Sequence, residues 1–281
     1  MPEGDALRLT AERLSAALAT GPLVRAELRW PTVGGVNLVG ATALETASYG
    51  KHLFTRLDDG RTIHTHLRME GFWRVARTGT REAGVRNPNI RAVLATAHWT
   101  CTGWYLGMLD LVRTRDEPRL LEGLGPDVLG PQFVEAGLDV ADGTPVPAEA
   151  RPGIDGAVER LGTAPGRPLC DALLDQRTVA GLGTIWMAES LYARRLWPWT
   201  PAGELTDEER HALLLTARRL MERSVAIGRT RGLSAVEVSV HGRAGKPCRR
   251  CRTPIAVGTA NEKPFERPVF WCPTCQAAAP G

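Results

Sequence analysis

The first residues of the chain could do covalent chemistry. The chain begins Met-Pro-Glu-Gly-Asp, so removal of Met1 would expose Pro2 as a secondary amine with the carboxyl group of Glu3 beside it. A secondary amine can attack an aldehyde-level carbon and hold it as an iminium. An α-amino group is also partly neutral at pH 7, because its pKa lies well below that of a lysine. The alternative is an ordinary polar terminus, whose proline merely permits removal of the methionine.

Four cysteines near the other end could hold a metal ion. Cys248 and Cys251 form one Cys-x-x-Cys pair, Cys272 and Cys275 form another, and 20 residues separate the pairs. This spacing is typical of two zinc knuckles, whose four thiolates build a closed and therefore structural site. We expect one structural Zn²⁺; two disulfides or a redox-active dithiol are the alternatives.

The segment between the two cysteine pairs is expected to fold as a small hairpin held by the metal, since it is too short for a core of its own. The returning strand reads "RPVFW", which places Arg267 close to the tip. A basic hairpin of this kind can bring one arginine against a phosphate.

Composition indicates a globular protein with a nucleic-acid partner. The 281 residues are 43% hydrophobic and 23% charged, and no apolar run of membrane-spanning length or signal peptide is evident. A cytoplasmic location is therefore expected. The net charge is +4, but residues 241–281 alone hold seven Lys/Arg against two Glu. That bias predicts a polyanionic partner, with a solvated basic surface as the alternative.

The elements that must position these residues begin with a helix from Asp5 to about Ala19, capped by Asp5. "LVRAELRW" alternates as a strand, and "HLFTRLDDGRTIHTHL" predicts a hairpin that turns at Asp58-Asp59-Gly60. "RAVLATAHWTCTGWYLGMLDLV" adds further strands. The isolated Cys101 and Cys170 are expected to be buried. The first 125 or so residues thus predict a β-rich domain with an N-terminal helix.

Helices dominate the region after a Gly- and Pro-rich linker. The linker is expected to contain one short helix at most. Helices are predicted from Leu169 to Arg177 and from Thr184 to Leu196. A third starts at the capping box formed by Thr206 and Glu209.

The segment "LLDQRTVAGLGTIWMAESLYARRLWP" predicts two helices joined by a tight elbow. Gly181 and Gly183 would let the backbone approach a neighbouring group closely. The amides that begin the second helix would then form a phosphate cradle. A plain helical hairpin is the alternative.

Four ordered motifs together resemble the formamidopyrimidine-DNA glycosylase and endonuclease VIII family of base-excision repair enzymes. They are the N-terminal "PEGD", the "YGKHLF" strand, the helical elbow and the four-cysteine finger that ends "RPVFWCPTCQ". The match spans nearly the whole chain and is closest to the endonuclease VIII-like branch of high-GC bacteria.

The resemblance implies how the terminal residues act. Pro2 would be the nucleophile that attacks C1′ of the damaged nucleotide, and Glu3 the acid and base that assists base loss and opening of the sugar ring. Loss of the C2′ proton from the resulting iminium would expel the 3′ phosphate, and a second elimination the 5′ phosphate. Lys51 and Arg267 match residues of the family that contact phosphate at the lesion.

The resemblance also implies DNA contacts. Met69 matches a position that fills the gap left by the flipped nucleotide, although a core methionine is an equal alternative. At the elbow, Gly183 matches the family pattern, but Thr184 stands where an asparagine usually binds the phosphate backbone. A threonine hydroxyl is shorter, so we expect weaker DNA binding or bending. The loop of the finger is also about four residues longer than usual.

Three functions remain open at this point. The first is a bifunctional DNA glycosylase and abasic-site lyase that favours oxidised pyrimidines, acts as a monomer on damaged DNA and cleaves by β,δ-elimination. The second is a non-catalytic damaged-DNA-binding paralogue, and the third an RNA- or translation-associated zinc protein. The expected fold is α+β with several domains: an N-terminal catalytic β-sandwich over 1–128, a linker over 129–152, a helix-two-turn-helix domain over 153–235 and a zinc-finger β-hairpin over 236–281.

Overall fold

The computed structural model describes residues 2–135 and 153–278, and the chain divides into two compact units. The first unit comprises Met1–Pro2 and Ala6–Glu122, and the second comprises Glu3–Asp5 and Gly123–Gly281. The peptide bond between Pro2 and Glu3 therefore joins the two units. Residues 136–152, which make up most of the expected linker, lie outside the described part.

The first unit is a β-sandwich with helices beside it. One antiparallel sheet has the strand order β1 (Arg25–Leu28), β6 (Ile90–Ala95), β7 (Trp99–Trp104), β5 (Phe72–Arg77). The other has the order β2 (Ala43–Tyr49), β3 (His52–Leu57), β4 (Arg61–His66), β8 (Met108–Arg113). The helices are α1 (Gly4–Leu18) and the short α2 (Glu117–Leu120), with 3₁₀ turns at Arg81–Ala83 and Thr114–Asp116.

The core of this unit is built from period-two and helical patterns visible in the sequence. Leu53 and Leu57 of β3 and Ile63 of β4 belong to the core. The turn between these strands ends at Gly60, whose φ of 79° is the left-handed conformation that glycine adopts readily. One face of α1 joins residues of both sheets in the core. The buried residues include Leu7, Leu14, Leu18, Leu53, Ile63, Leu94, Cys101 and Leu109.

The second unit is helical and carries the two-stranded finger. Its helices are α3 (Gln132–Glu135), α4 (Ile154–Gly162), α5 (Leu169–Leu174), α6 (Thr184–Arg194) and α7 (Asp207–Arg231), with 3₁₀ turns at Ala202–Glu204 and Leu233–Ala235. The finger pairs β9 (Ala256–Ala260) with β10 (Arg267–Trp271) in antiparallel register. None of the helices among the described residues is both long and apolar enough to cross a bilayer.

Local signals in the sequence located several of these elements correctly. Thr206 accepts a hydrogen bond from the Glu209 amide while the Glu209 side chain accepts one from the Thr206 amide, so the predicted capping box begins α7. The predicted hairpin of β3 and β4 is confirmed, as is the burial of Cys101 and Cys170. The short helix α3 lies in the described part of the linker region.

Other helix boundaries were wrong. α1 begins at Gly4, so Asp5 lies inside the first turn and cannot be the N-cap; its carboxylate accepts a hydrogen bond from the Ser224 hydroxyl on α7 at 2.6 Å. α5 ends at Leu174, three residues early, because Asp175 leaves the helical conformation and binds the Arg177 amide. α6 ends at Arg194, since Arg195 adopts a left-handed φ of 58°.

Two further expectations were corrected. The sequence interpretation missed α4, a nine-residue helix just beyond the linker. It also extended the strand "LVRAELRW" too far towards the N-terminus, since β1 begins at Arg25 and Val24 before it is 55% exposed. Both errors lie next to Gly- or Pro-containing segments, where flanking turns shift the start of an element.

Candidate active site

The carboxylate of Glu3 is held by the N-terminus of α6. Its Oε2 accepts hydrogen bonds from the amides of Gly183 at 2.9 Å and Trp186 at 3.2 Å, and its Oε1 accepts one from Ile185 at 2.8 Å. Glu3 is 2% exposed. Amide N–H groups can only donate, and the positive end of the helix dipole lies here, so the arrangement favours an ionised carboxylate.

Glycines make this contact possible. A Cβ on Gly183 would stand 2.5 Å from the Glu3 carboxyl carbon, and one on Gly4 would stand 3.2 Å from Gly181 Cα. The Gly4 amide also donates to the Gly181 carbonyl at 2.9 Å. The elbow glycines therefore permit a close backbone approach, as predicted, and the group that approaches is the chain's own N-terminal segment.

The phosphate cradle expected at the elbow is occupied by protein. Three amides at the start of α6 bind the Glu3 carboxylate, so they are not the phosphate site that the sequence suggested. A carboxylate and a phosphate compete for the same amides and the same dipole. Thr184, whose residue is half-buried beside these amides, is left as the position at the elbow that could contact DNA.

Two polar side chains of the elbow motif have roles that sequence reasoning missed. Gln176 accepts from the Gly181 amide at 3.0 Å and donates to the Leu182 carbonyl at 2.9 Å, so it fixes the turn. Glu189, 6% exposed on α6, accepts hydrogen bonds from three successive amides, Ser239, Val240 and His241. The available signal was the presence of both residues within the elbow motif.

Lys51 lies in a tight turn rather than on a strand. Tyr49 at the end of β2 pairs with His52 at the start of β3, and Gly50 between them has a φ of 55°. Lys51 is 8% exposed, which excludes the ordinary exposed lysine that was the alternative. A cation that is buried at a turn is expected to have a counter-charge or a ligand to bind.

Histidines surround the turn that contains Lys51. His52 Nδ1 lies 2.8 Å from His64 Nε2. The rings of His52 and His66 meet edge to face, with their centroids 5.0 Å apart. Burial lowers the pKa of His52, His64 and His66, the last two to about 4, and neighbouring positive groups, including Arg68, add to the effect. The three rings are therefore neutral at pH 7, and the sequence interpretation did not identify them.

Met69 is 61% exposed, so the core-methionine alternative is excluded. It follows β4 in the turn that precedes β5, where Gly71 N donates to the Leu67 carbonyl at 2.9 Å. His52 pairs with His66, so the Lys51 turn and the Met69 turn leave the sheet at the same end. The first unit thus has a buried lysine and an exposed apolar side chain at the same end of this sheet.

The four finger cysteines form a compact sulfur cluster. Their Sγ atoms all lie within 4.8 Å of one another, with Cys251 to Cys272 at 3.3 Å and Cys248 to Cys275 at 3.9 Å. A disulfide bond has an S–S length of about 2.05 Å. Neither of these two cysteine pairs therefore forms the disulfide that was the alternative to a metal site. A tetrahedral Zn–S bond of about 2.3 Å places sulfurs about 3.8 Å apart, so the donor set fits a thiolate-preferring metal ion.

Groups around the cluster support thiolate ligands. Burial would raise the pKa of the Cys248 thiol, but the Tyr192 hydroxyl at 3.3 Å and nearby amides outweigh burial and lower it to about 6. Burial and the neighbouring thiols raise the pKa of Cys275 to about 12. A bound cation would offset the repulsion between neighbouring thiolates.

The finger is attached firmly to the helical part of its own unit. Gln276 accepts from the Cys272 amide at 3.0 Å and donates to the Leu196 carbonyl at 2.9 Å. The Trp199 indole packs on Gly258 and donates to the Thr259 carbonyl at 3.1 Å. Arg267 begins β10 as predicted, and its Nη1 donates to the Glu266 carbonyl at 2.9 Å.

The structure therefore groups the predicted residues by unit. Pro2, Lys51 and Met69 belong to the first unit, and Glu3 belongs to the second with Gly183, Thr184, Arg267 and the four cysteines. Within the second unit, Glu3 and Gly183 are in direct contact. Pro2 is half-buried and is bonded covalently to the anchored Glu3.

Comparison with known proteins gives a consistent result. Residues 1–107 match the family described as the formamidopyrimidine-DNA glycosylase N-terminal domain, and residues 145–234 match the formamidopyrimidine-DNA glycosylase H2TH domain. A Streptomyces coelicolor protein named "Probable endonuclease 8 2" is 40% identical over 99% of this chain and 94% of its own length. A Mycolicibacterium smegmatis protein named "DNA-(apurinic or apyrimidinic site) lyase Nei2" is 36% identical over 99% of this chain and 100% of its own length.

Solved structures with the same fold include a Lactococcus lactis formamidopyrimidine-DNA glycosylase bound to DNA that contains an abasic site. It superposes with a TM-score of 0.78 at 21% identity and covers 98% of this chain and 100% of its own. Another complex of the same glycosylase, with DNA containing an oxidised pyrimidine, also has a TM-score of 0.78 at 21% identity, covering 99% of this chain and 100% of its own.

Proposed function

Because the chain belongs to the formamidopyrimidine-DNA glycosylase family, we propose that it is a bifunctional DNA glycosylase and abasic-site lyase of base-excision repair. The observation that carries the proposal is the anchored carboxylate of Glu3, the residue bonded to Pro2, which accepts hydrogen bonds from three amides at the N-terminal end of α6. Its proposed partner is damaged DNA, bound by a monomer at the bacterial nucleoid. Abasic sites are proposed substrates, in line with the lyase name of one relative, and oxidised pyrimidines are proposed as the damaged bases that it removes.

The proposed reaction starts at Pro2 after Met1 is removed. The neutral Pro2 nitrogen attacks C1′, and the bond from C1′ to the base breaks as the base leaves with the bonding electrons and takes up a proton. Opening of the sugar ring puts a proton on O4′ and leaves a C1′ iminium. Loss of the C2′ proton then expels the 3′ phosphate, a second elimination expels the 5′ phosphate, and water hydrolyses the remaining imine.

Glu3 is proposed to move the protons of these steps. Held as an anion by amide donors, it can accept the proton that the Pro2 nitrogen loses on attack and return it to O4′. Lys51 and Arg267 are proposed to bind phosphates at the lesion, and Met69 to fill the gap left by the flipped nucleotide. Gly183 is proposed to keep the α6 N-terminus close to Glu3, and the Thr184 hydroxyl to contact the backbone.

The finger is proposed to hold one Zn²⁺ through Cys248, Cys251, Cys272 and Cys275. The four-sulfur donor set is the support for zinc, since a closed thiolate site leaves no position for water and so has a structural role. The proposed domains are a catalytic domain over 1–128, a linker over 129–152, a DNA-binding helical domain over 153–235 and the finger over 236–281.

The test is borohydride trapping on DNA that contains one abasic site. Wild-type protein, with removal of Met1 verified by mass spectrometry, should give a covalent adduct that maps to the Pro2 peptide. Pro2→Ala should lose most of it, whereas Pro31→Ala, an exposed proline elsewhere in the same unit, should trap fully. DNA binding without any trapped adduct or nicking would replace this function with that of a non-catalytic binder of damaged DNA.

A further inference from the structure

The loop at the tip of the finger presents a large apolar side chain to solvent. This fingertip loop (261–266) joins β9 to β10, and its Phe265 is 68% exposed, the highest value among the exposed large hydrophobic residues described. A ring this exposed offers a flat apolar face against which a bound aromatic group can stack. The resemblance that suggested phosphate binding at the finger assigned no role to this ring.

The loop is held in place, so Phe265 has a defined position. The Asn261 amide donates to the Asp171 carboxylate at 2.8 Å, and the Phe265 amide donates to the Glu262 carbonyl at 2.9 Å. Ala260 is buried and pairs with Arg267 across the base of the loop. The finger strands below are pinned by Trp199.

Phe265 is also coupled to Arg267. The Arg267 guanidinium donates to the Glu266 carbonyl at 2.9 Å and to the Phe265 carbonyl at 3.4 Å. A phosphate bound by Arg267 would therefore lie within about one nucleotide of the aromatic ring, since the two residues are only two positions apart in the chain and each residue spans at most about 3.6 Å.

The chemistry of the loop indicates what the ring contacts. Lys263 and Arg267 are balanced by Glu262 and Glu266, so the tip adds no net positive charge for a phosphate backbone. What the tip adds is an apolar, flat face. Phe265 lines a cleft of about 630 Å³ together with Arg167 and with Asp175 and Gln176 of the elbow motif. A cleft lined by one aromatic ring and several polar side chains suits a planar, polar-edged group such as a nucleobase.

We infer that Phe265 stacks on an unpaired base of the bound DNA, next to the phosphate that Arg267 holds. This inference deepens the proposed function and depends on it. Base-on-aromatic stacking does not require a particular base and is strongest where the base is already out of a duplex. Phe265 thus favours lesions in single-stranded or bubble DNA over lesions in a perfect duplex.

The test uses DNA with a tetrahydrofuran abasic analogue, which binds but cannot react, with 2-aminopurine on one side of the lesion or on the other. Phe265→Ala should weaken binding to single-stranded and bubble DNA about tenfold, and Phe265→Trp should restore it. Val257→Ala, which truncates an exposed apolar residue on β9 of the same finger, should bind as the wild type does. Wild-type protein should quench 2-aminopurine on one side, and Phe265→Ala should not.

Each other result has a distinct meaning. Equal affinity and equal quenching for wild type and Phe265→Ala would overturn the inference, as would loss of affinity with quenching unchanged, which would indicate a merely structural effect. Phe265→Leu separates stacking from side-chain volume, because leucine is large but has no aromatic face. Wild-type affinity in Phe265→Leu would also overturn the inference. If the wild type fails to bind the abasic analogue in any strand context, the proposed function falls first, and this inference with it.

Discussion

Gly183 donates its amide proton to the Glu3 carboxylate at 2.9 Å, although 180 residues separate the two in the chain. A Cβ at position 183 would stand 2.5 to 2.7 Å from three atoms of that side chain. Because Gly183 has no side chain, the start of α6 can bind the carboxylate of Glu3, the residue bonded to Pro2.

Gly183→Ala should therefore reduce activity. The carboxylate cannot move aside without losing amide hydrogen bonds, so we expect a loss of about 1–3 kcal/mol in stability. Displacement of the residue beside Pro2 should lower the single-turnover cleavage rate about 100-fold. Gly166→Ala is the matched control, since a Cβ there meets nothing within 4 Å. Equal cleavage rates for both variants would contradict the role of this contact.

Metal analysis of purified protein should find one zinc ion per chain. Cys272→Ser should lose it, because the remaining three sulfurs no longer close the site. The finger should then become sensitive to protease, since its strands depend on the metal. Cys101→Ala removes a buried thiol far along the chain from the cluster and should retain the ion. A full zinc content in Cys272→Ser would argue against the four-cysteine site.

Stability should fall as the pH is lowered from about 6.5 toward 4. His64 and His66 have pKa values of about 4 in the folded protein and ordinary values when unfolded. Between these values the unfolded chain binds more protons, so acid favours unfolding. The melting temperature measured from pH 7 to 4.5 should drop less in His64→Gln than in wild type. His98→Gln, at an exposed histidine, should follow wild type; identical curves for all three proteins would refute the argument.

Met69→Ala should weaken binding to a lesion in duplex DNA by about tenfold, because an apolar side chain no longer offsets the cost of flipping the nucleotide. In single-stranded DNA there is no gap in a base stack to fill, so the effect should vanish, the reverse of the dependence expected for Phe265. Leu44→Ala, another exposed apolar residue in the first unit, is the control. Electrophoretic mobility shift with abasic-analogue DNA measures the affinity for duplex and for single-stranded DNA. An equal loss of affinity in both would exclude the role of Met69 in filling the gap.

Much of the fold could be predicted because its signals are local. The Asp-Asp-Gly turn between β3 and β4, the Thr206–Glu209 capping box and the cysteine spacing each depend on residues a few positions apart. Chemical type alone also pointed to Pro2, since a secondary amine at a chain end has few equivalents. Errors arose where a distant residue decided a local outcome, as when Glu3, 180 residues from Gly183 in the chain, bound the elbow amides that were expected to hold a phosphate.

The sequence by itself determined the candidate amine at Pro2, the spacing of the four candidate metal ligands, the alternation of the strands and the order of the motifs, because each follows from covalent connectivity or from a short period. Only the tertiary structure decided that the amides of α6 bind Glu3 instead of a phosphate, that Lys51 is buried in a turn, and that Met69 and Phe265 are exposed. These outcomes depend on which surfaces meet after the chain folds back over long separations, and hydrogen-bond partners and burial are set by that meeting.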